Sequence, residues 1–96
     1  MFVVIEHSIS DLESFWGAAE TITDGMPESI KAHQFMPSAN HEKAVCLWEG
    51  PSVEAIQNFL EPKIGQSSTN VYYEVDSEKA MGLPAQQSAQ AGASES

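Results

Sequence analysis

The sequence contains no arginine, and its four basic residues are all lysines. Lysine lacks the planar fork with which arginine binds a carboxylate or phosphate through two parallel hydrogen bonds. We therefore do not expect a phosphorylated substrate. Fourteen aspartates and glutamates give a net charge of −10, and a surface of that sign repels phosphate backbones and anionic lipid. The charge argues against nucleic acid and membrane surfaces as partners.

Cysteine and long apolar runs are scarce as well. Cys46 is the only cysteine, which excludes an intrachain disulfide and is typical of a protein from a reducing compartment. No segment approaches the roughly 20 consecutive apolar residues that a membrane-spanning helix needs. From Met1 the chain enters strand-like residues directly, without the basic region and apolar stretch of a signal peptide. These features predict a soluble, cytoplasmic protein.

The apolar pattern predicts four strands and two helices. Short runs rich in β-branched and aromatic residues, bounded by turn-forming residues, indicate the strands. They cover residues 2–5, 30–36, 43–49 and 69–76. Apolar residues at helical spacing indicate one helix between the first and second strands and another between the third and fourth.

Capping residues predict where the two helices begin and end. The first begins with a capping box formed by Ser10 and Glu13, and Gly25 with the nearby Pro27 ends it. The second begins at Ser52, whose hydroxyl suits an N-cap position. Pro62 and Gly65 are predicted to stop that second helix.

The element order predicts an α+β fold of the ferredoxin-like βαββαβ type over residues 1–83. Two right-handed crossovers joined by a hairpin give a four-stranded antiparallel sheet with two helices on one face. The first and third strands are then central, and both are apolar on their two faces. Residues 84–96, rich in alanine, glutamine, serine and glycine, are predicted to be a disordered tail.

Two helices cover only one face of such a sheet, so the other face exposes apolar side chains. A lone soluble monomer rarely exposes a patch of that size. We therefore predict a homodimer whose sheets pack face to face. The alternative is that a loop or the C-terminal tail covers this face.

The sequence resembles the dimeric α+β barrel superfamily, and within it a group of small bacterial proteins similar to a nickel-binding subgroup. Four segments carry the resemblance over most of residues 2–83: residues 32–35, 43–48, 51–56 and 73–75. The resemblance implies protomers of ferredoxin-like fold that pack sheet against sheet. The superfamily contains cofactor-free monooxygenases, isomerases, dehydratases and polyketide cyclases, together with heme-binding and metal-binding members.

His33 is the residue that the resemblance singles out, because the nickel-binding relatives place a strand histidine at this position. Strict alternation along the second strand puts Lys31 and Phe35 on the same face as His33. If that face points into the barrel, the His33 imidazole would serve as a metal ligand or a general base. If it faces solvent, it has no special role. Sequence-local metal motifs are absent, so a nickel site would have to be assembled across strands or across the dimer.

Other side chains are weaker candidates. His7, at the end of the first predicted strand, is a second possible general base. Tyr73 and Trp48 are candidates for shaping a ligand pocket, although strand aromatics also form cores and interfaces. Tyr72 is expected to be solvated. Cys46 is interpreted as a small core residue rather than a nucleophile, because no basic residue adjoins it in sequence.

These observations lead to three hypotheses about function. The first is a small homodimeric binding protein that holds a divalent transition metal, such as nickel, or a small apolar ligand in the barrel between two sheets. The second is a cofactor-independent enzyme of monooxygenase, isomerase or cyclase type, acting on an aromatic or polyketide-like substrate with a histidine base. The third is an accessory dimer that engages another protein and has no internal chemistry.

Overall fold

A computed structural model of the protein describes residues 1–84. The elements are β1 (Phe2–Ile9), α1 (Leu12–Ala19), β2 (Lys31–Pro37), β3 (Lys43–Glu49), α2 (Val53–Ile64) and β4 (Ser68–Glu74). The predicted disordered tail lies outside the described residues, apart from Pro84. No helix within residues 1–84 is long and apolar enough to cross a membrane.

The four strands form one antiparallel sheet in the order β2-β3-β1-β4. The prediction that the first and third strands are central is confirmed. The sheet order and the βαββαβ order of elements are compatible with a ferredoxin-like sandwich. The described chain is therefore a small α+β fold.

The hydrophobic core lies between the helices and one face of the sheet. Its sheet side is formed by alternate residues of the two central strands, as the period-two geometry of a strand requires. Burying each large aliphatic side chain there stabilises the fold by about 1.5–3 kcal/mol. The buried core residues are Val3, Ile5, Phe15, Ile30, Cys46, Trp48, Ile56, Leu60 and Ile64.

Helix α1 begins one residue later and ends earlier than the sequence predicts. Asp11 is the N-cap, since its carboxylate accepts a hydrogen bond from the Ser14 backbone N–H at 3.1 Å. Ser10 is not the cap; its hydroxyl donates to the Ser67 carbonyl instead. The helix ends at Ala19, and turns with hydrogen bonds three residues apart follow it. β-Branched residues 21–23 have lower helix propensity, which favours these turns over a helix reaching Gly25.

Helix α2 begins as predicted and ends later. Ser52 is confirmed as its N-cap, because the hydroxyl accepts a hydrogen bond from the Ala55 N–H at 3.0 Å. The helix continues through Pro62 to Ile64, so the prediction that Pro62 stops it is wrong. Proline costs a helical hydrogen bond, but continuing the helix buries Ile64 in the core, where only 2% of this residue is exposed. Gly65 is the C-cap, as the sequence suggested.

Strand β1 is longer than its apolar run, and this changes the position of His7. The strand continues to Ile9 because β3 and β4 pair with it on both sides. His7 therefore lies inside the strand, opposite Ala44 on β3 and Asn70 on β4, rather than at the strand end.

Strand β2 contains a bulge at His33. Ala32 pairs with Trp48 and Gln34 pairs with Leu47, so His33 is an extra residue without a partner of its own. The bulge breaks the alternation that the sequence suggested. Phe35 lies opposite Cys46 on the helix side of the sheet, and the prediction that it shares a face with Lys31 is wrong.

The opposite surface of the sheet, which we call the open face, carries no helix. Val4 and Glu6 of β1 alternate with the core residues and so point to this surface. Their register partners on β3 and β4 complete the open face: Val45, Leu47, Val71 and Tyr73. Val45, Val71 and Tyr73 are 38%, 53% and 45% exposed.

Candidate functional site

A cavity of about 300 Å³ lies between the helices and the sheet, and we call it the helix-side cavity. Its residues come from both helices, from the turns after α1 and from strands β1, β2 and β3. Ala32 and Phe35 are exposed, so the cavity opens to solvent beside edge strand β2. The lining residues are His7, Phe15, Ala19, Ile22, Ala32, His33, Gln34, Phe35, Cys46, Trp48, Leu60 and Ile64.

His7 is the central polar group at the inner end of this cavity. Only 4% of the residue is exposed, and the ring of Phe15 packs edge-on against the imidazole at a centroid distance of 5.4 Å. The Nδ1 atom lies 2.7 Å from Asn70 Oδ1, and the Nε2 atom lies 3.1 Å from Cys46 Sγ. Both ring nitrogens thus have partners, which fixes the orientation of the ring.

The surroundings hold His7 in its neutral form. Burial lowers the pKa of His7 below its ordinary value of 6.5, while the hydrogen bond with Asn70 and the charge of Glu61 act in the opposite direction. The Asn70 amide nitrogen donates to Glu61 at 2.9 Å, so its oxygen is the atom that faces His7. His7 Nδ1–H therefore donates to Asn70, and Nε2 is left as an acceptor.

Cys46 supplies the hydrogen that Nε2 accepts. Burial raises the pKa of the Cys46 thiol to about 12, with a smaller opposing effect from Trp48, so the thiol is protonated at neutral pH. The S–H group then donates to His7 Nε2 across the 3.1 Å separation. At rest the two side chains form a neutral thiol–imidazole pair.

The hydrogen-bond chain continues beyond Asn70 to helix α2 and back to β4. Glu61 also accepts a hydrogen bond from the Tyr72 hydroxyl at 2.6 Å. Burial and this interaction with Glu61 raise the pKa of Tyr72, so the phenol remains a donor. We call the series Cys46–His7–Asn70–Glu61–Tyr72 the polar chain.

Strand pairing explains why these residues meet. His7 and Asn70 are register partners on β1 and β4. Cys46 pairs with Ile5, two positions before His7 on the same face. Diagonal neighbours of this kind lie close enough for side chains to touch. Tyr72 follows Asn70 by two residues and so shares its face, beneath Glu61 of helix α2.

Two of the predicted site residues, Trp48 and His7, line this cavity and are buried. Trp48, proposed for cofactor or ligand binding, is 3% exposed and lines the cavity. His7, proposed as a base, lies at its inner end. Tyr72, expected to be solvated, is instead a partly buried donor in the polar chain.

His33 and Tyr73 lie in other surroundings. His33 borders the cavity, but its ring packs against Phe2 at 5.6 Å and its Nε2 lies 2.9 Å from Glu49 Oε1. Tyr73 is on the open face, where its hydroxyl donates to Glu6 at 2.9 Å. The structure therefore does not bring His33, His7 and Tyr73 together in a single polar cluster.

Sequence reasoning missed Asn70 and Glu61, and it set Cys46 aside. Asn70 gave one usable signal: asparagine is disfavoured inside a strand, so its presence there suggests a specific hydrogen bond. The basic partner of Cys46 comes from a different strand, 39 positions earlier in the chain, and adjacency in sequence does not reveal it.

Over the residues that the structure describes, a single chain does not supply a complete ligand set for the nickel that the resemblance implies. Within residues 1–84, no group of three or more histidine, cysteine, aspartate or glutamate side chains is arranged to hold a metal ion. His33 and Glu49 supply two such groups. A structural transition-metal site normally needs four ligands.

Comparisons of the chain with protein-family models, with curated proteins and with solved structures found no match.

Proposed function

We propose that this protein binds one small, uncharged, largely apolar molecule in the helix-side cavity. The observation that best supports the proposal is a buried neutral His7 in the wall of an apolar cavity that opens to solvent. The volume of about 300 Å³ is at the lower end of the range for small-molecule sites. His7 and Cys46 would form the polar end of the site, because they are the groups that converge at its inner end.

The chemistry of the wall argues for a ligand without charge. The lining residues include no lysine, aspartate or glutamate, so a charged ligand would lose its hydration without gaining an ion pair. Seven of them are aliphatic or phenyl side chains of the kind that gain from apolar contact: Phe15, Ala19, Ile22, Ala32, Phe35, Leu60 and Ile64.

Backbone amide NMR with benzene, phenol and cyclohexanone tests the proposal. We expect chemical-shift changes centred on residues of the cavity wall. Ala19→Phe would fill the cavity and abolish these changes, whereas Ala39→Phe in the exposed turn before β3 would leave them intact. Shift changes that are scattered over the surface, or that survive Ala19→Phe, would contradict the proposal.

A second candidate is a cofactor-independent isomerase or related enzyme with His7 as the general base. The observation in its favour is the tautomer: Asn70 holds the proton on Nδ1, so Nε2 is the basic nitrogen, and at rest it accepts from the Cys46 thiol. An enzyme of this kind should catalyse exchange of the α-protons of cyclohexanone in D₂O, followed by NMR. His7→Gln should remove the catalysed exchange, and Tyr73→Phe on the open face should not.

We also propose that the chain forms a homodimer of the dimeric α+β barrel type through its open face. The support is the exposed apolar group of Val45, Val71 and Tyr73 on a sheet face that no helix covers. Light scattering after size exclusion at micromolar concentration should give twice the chain mass. Val71→Lys should give a monomer, while the same change at Leu12, which is 42% exposed on α1, should not.

We propose, as an alternative to the apolar ligand, a metal site between the two sheets of the dimer. It would use His33 and Glu49, which lie 2.9 Å apart, together with the same pair from a second chain. Thermal unfolding with and without nickel or zinc tests it. An increase in Tm that His33→Ala removes would support this proposal, and an unchanged Tm would contradict it.

A further inference from the structure

We propose that Cys46 is a nucleophile that forms a covalent bond with a small, uncharged α,β-unsaturated carbonyl compound in the helix-side cavity, with His7 accepting the thiol proton. The inference rests on the proposed function, because the compound must first enter this cavity. It assigns a chemical role to the inner end of the cavity and names the class of molecule that would react there.

Three side chains have the geometry of an activated nucleophile. Cys46 Sγ lies 3.1 Å from His7 Nε2, and His7 Nδ1 lies 2.7 Å from Asn70 Oδ1. A nucleophile within hydrogen-bond reach of a base, with the base oriented by a third group, is the general signature of nucleophilic catalysis. Each residue comes from a different strand of the rigid sheet: β3, β1 and β4.

The cavity gives this arrangement access to a ligand. Cys46 and His7 both belong to its wall, although they are only 6% and 4% exposed. A cysteine buried in a filled core would have no space beside it for a second reactant. Here the thiol adjoins about 300 Å³ of space that opens beside β2.

The thiol needs the base in order to react. Burial raises the pKa of Cys46, so almost no thiolate is present at neutral pH. Proton transfer to His7 as the new bond forms avoids a free thiolate in an apolar site. His7 is suited to this role because burial keeps its resting form neutral.

The reaction is balanced without any co-reactant. The sulfur electron pair forms an S–C bond at the β-carbon, and the S–H proton moves to Nε2 of His7. The π electrons of the C=C bond shift toward the carbonyl and give an enolate. The imidazolium then returns the proton to the α-carbon, which leaves a saturated thioether adduct and neutral His7.

The polar groups present favour this class of compound over an acyl donor. Conjugate addition has no leaving group, and one imidazolium supplies the single proton that neutralises the enolate. Acyl transfer would require several N–H donors directed at a tetrahedral oxyanion. Apart from His7 and Cys46, the side chains at the inner end of the cavity are apolar: Phe15, Trp48, Leu60 and Ile64.

The test uses 2-cyclohexenone and intact-protein mass spectrometry at neutral pH. Because Cys46 is the only cysteine, a single thiol adduct reports on it directly. We expect the folded protein to form the adduct faster than the same protein in urea, and Cys46→Ser to form none. A protected core cysteine would do the opposite and react faster in urea. That result would overturn the inference.

Two variants test the role of the base. His7→Gln should slow adduct formation in the folded protein by about a hundredfold, the range of general-base catalysis, and should not change the rate in urea. If His7→Gln does not fold, Asn70→Ala provides the second test, since it keeps the imidazole and removes the group that orients it. Equal rates for the folded variants and the folded wild type would exclude base assistance.

Saturated cyclohexanone separates this inference from the proposed function. If cyclohexanone shifts the amide signals of the cavity wall and 2-cyclohexenone forms no adduct, the covalent step is wrong and the binding function stands. If neither compound interacts with the cavity, both are wrong. Binding of cyclohexanone by Cys46→Ser would show that the cavity is intact in that variant.

Discussion

At the scale of single residues, the distinctive feature is a fully hydrogen-bonded polar group in a small hydrophobic core. His7 is as buried as the apolar residues around it, and both of its nitrogens have partners. A buried polar group without partners would cost about 1–3 kcal/mol. The polar chain avoids this cost and connects the core to the carboxylate of Glu61.

The burial of His7 makes stability depend on pH in a definite direction. Its pKa in the folded protein is below the ordinary value of 6.5, so the unfolded chain binds a proton more readily. The contribution of neutral His7 is complete above pH 6.5 and is lost as the pH falls through 6.5 toward the lowered folded pKa. We expect the urea midpoint of the wild type to decrease when the pH is lowered from 7.5 to 5.5.

His7→Gln is the control for this prediction. The variant lacks the titrating imidazole, so its urea midpoint should change less over the same pH interval. The other titratable groups are common to both proteins, including Cys46 and Glu61, which face His7 directly or through Asn70. Identical pH profiles for the two proteins would show that His7 does not contribute to the pH dependence.

At the scale of elements, capping and packing together decide where helices begin and end. The Ser52 hydroxyl satisfies one free N–H at the start of α2, and the buried stripe of Ile56, Leu60 and Ile64 attaches that helix to the sheet. The stripe outweighs the helix-breaking effect of Pro62. In α1, by contrast, Phe15 is the only fully buried residue, and the helix has just eight residues.

Replacing the cap of α2 should destabilise the protein by a predictable amount. We expect Ser52→Ala to lower the free energy of unfolding by about 1 kcal/mol, because the N–H of Ala55 loses its acceptor. Urea denaturation at pH 7.5 measures the change. Ser29→Ala, at an exposed position before β2, is the matched control and should have almost no effect. Equal effects of the two substitutions would contradict the role of the cap.

At the scale of the whole molecule, the acidic excess is largely uncompensated. The net charge is −10, and within residues 1–84 the one carboxylate that lies within 4 Å of a basic side chain is that of Glu49, beside His33. Repulsion among carboxylates opposes the compact state. The same charge favours solubility, which suits a protein whose open face carries exposed apolar side chains.

We expect added NaCl to stabilise the protein because it screens this repulsion. Raising the ionic strength from 0.01 M to 0.15 M shortens the screening length from about 30 Å to about 8 Å. The urea midpoint should therefore rise. Glu28→Gln, which removes one exposed charge, should reduce the salt effect. A midpoint that falls with NaCl would show that attractive charge pairs dominate.

The site was harder to predict from the sequence than the fold was, for a physical reason. Strands and helices follow from local apolar periodicity. Their order along the chain, with right-handed crossovers, favours the ferredoxin-like sheet topology over others. The pairing of Cys46 with His7 depends on the register between two strands, and a shift of one residue would reverse the faces. The bulge at His33 could not be predicted for the same reason, since it depends on the register between β2 and β3.

The sequence by itself determined the α+β class, the central positions of β1 and β3, and the N-cap at Ser52, because local patterns and short-range hydrogen bonds set these features. Only the tertiary structure decided that α2 continues past Pro62 and that His7 meets Cys46 and Asn70 beside a cavity. These outcomes depend on burial and contacts between residues distant in the chain. For the same reason, the contact between the lone cysteine and His7 depends on the pairing of the strands.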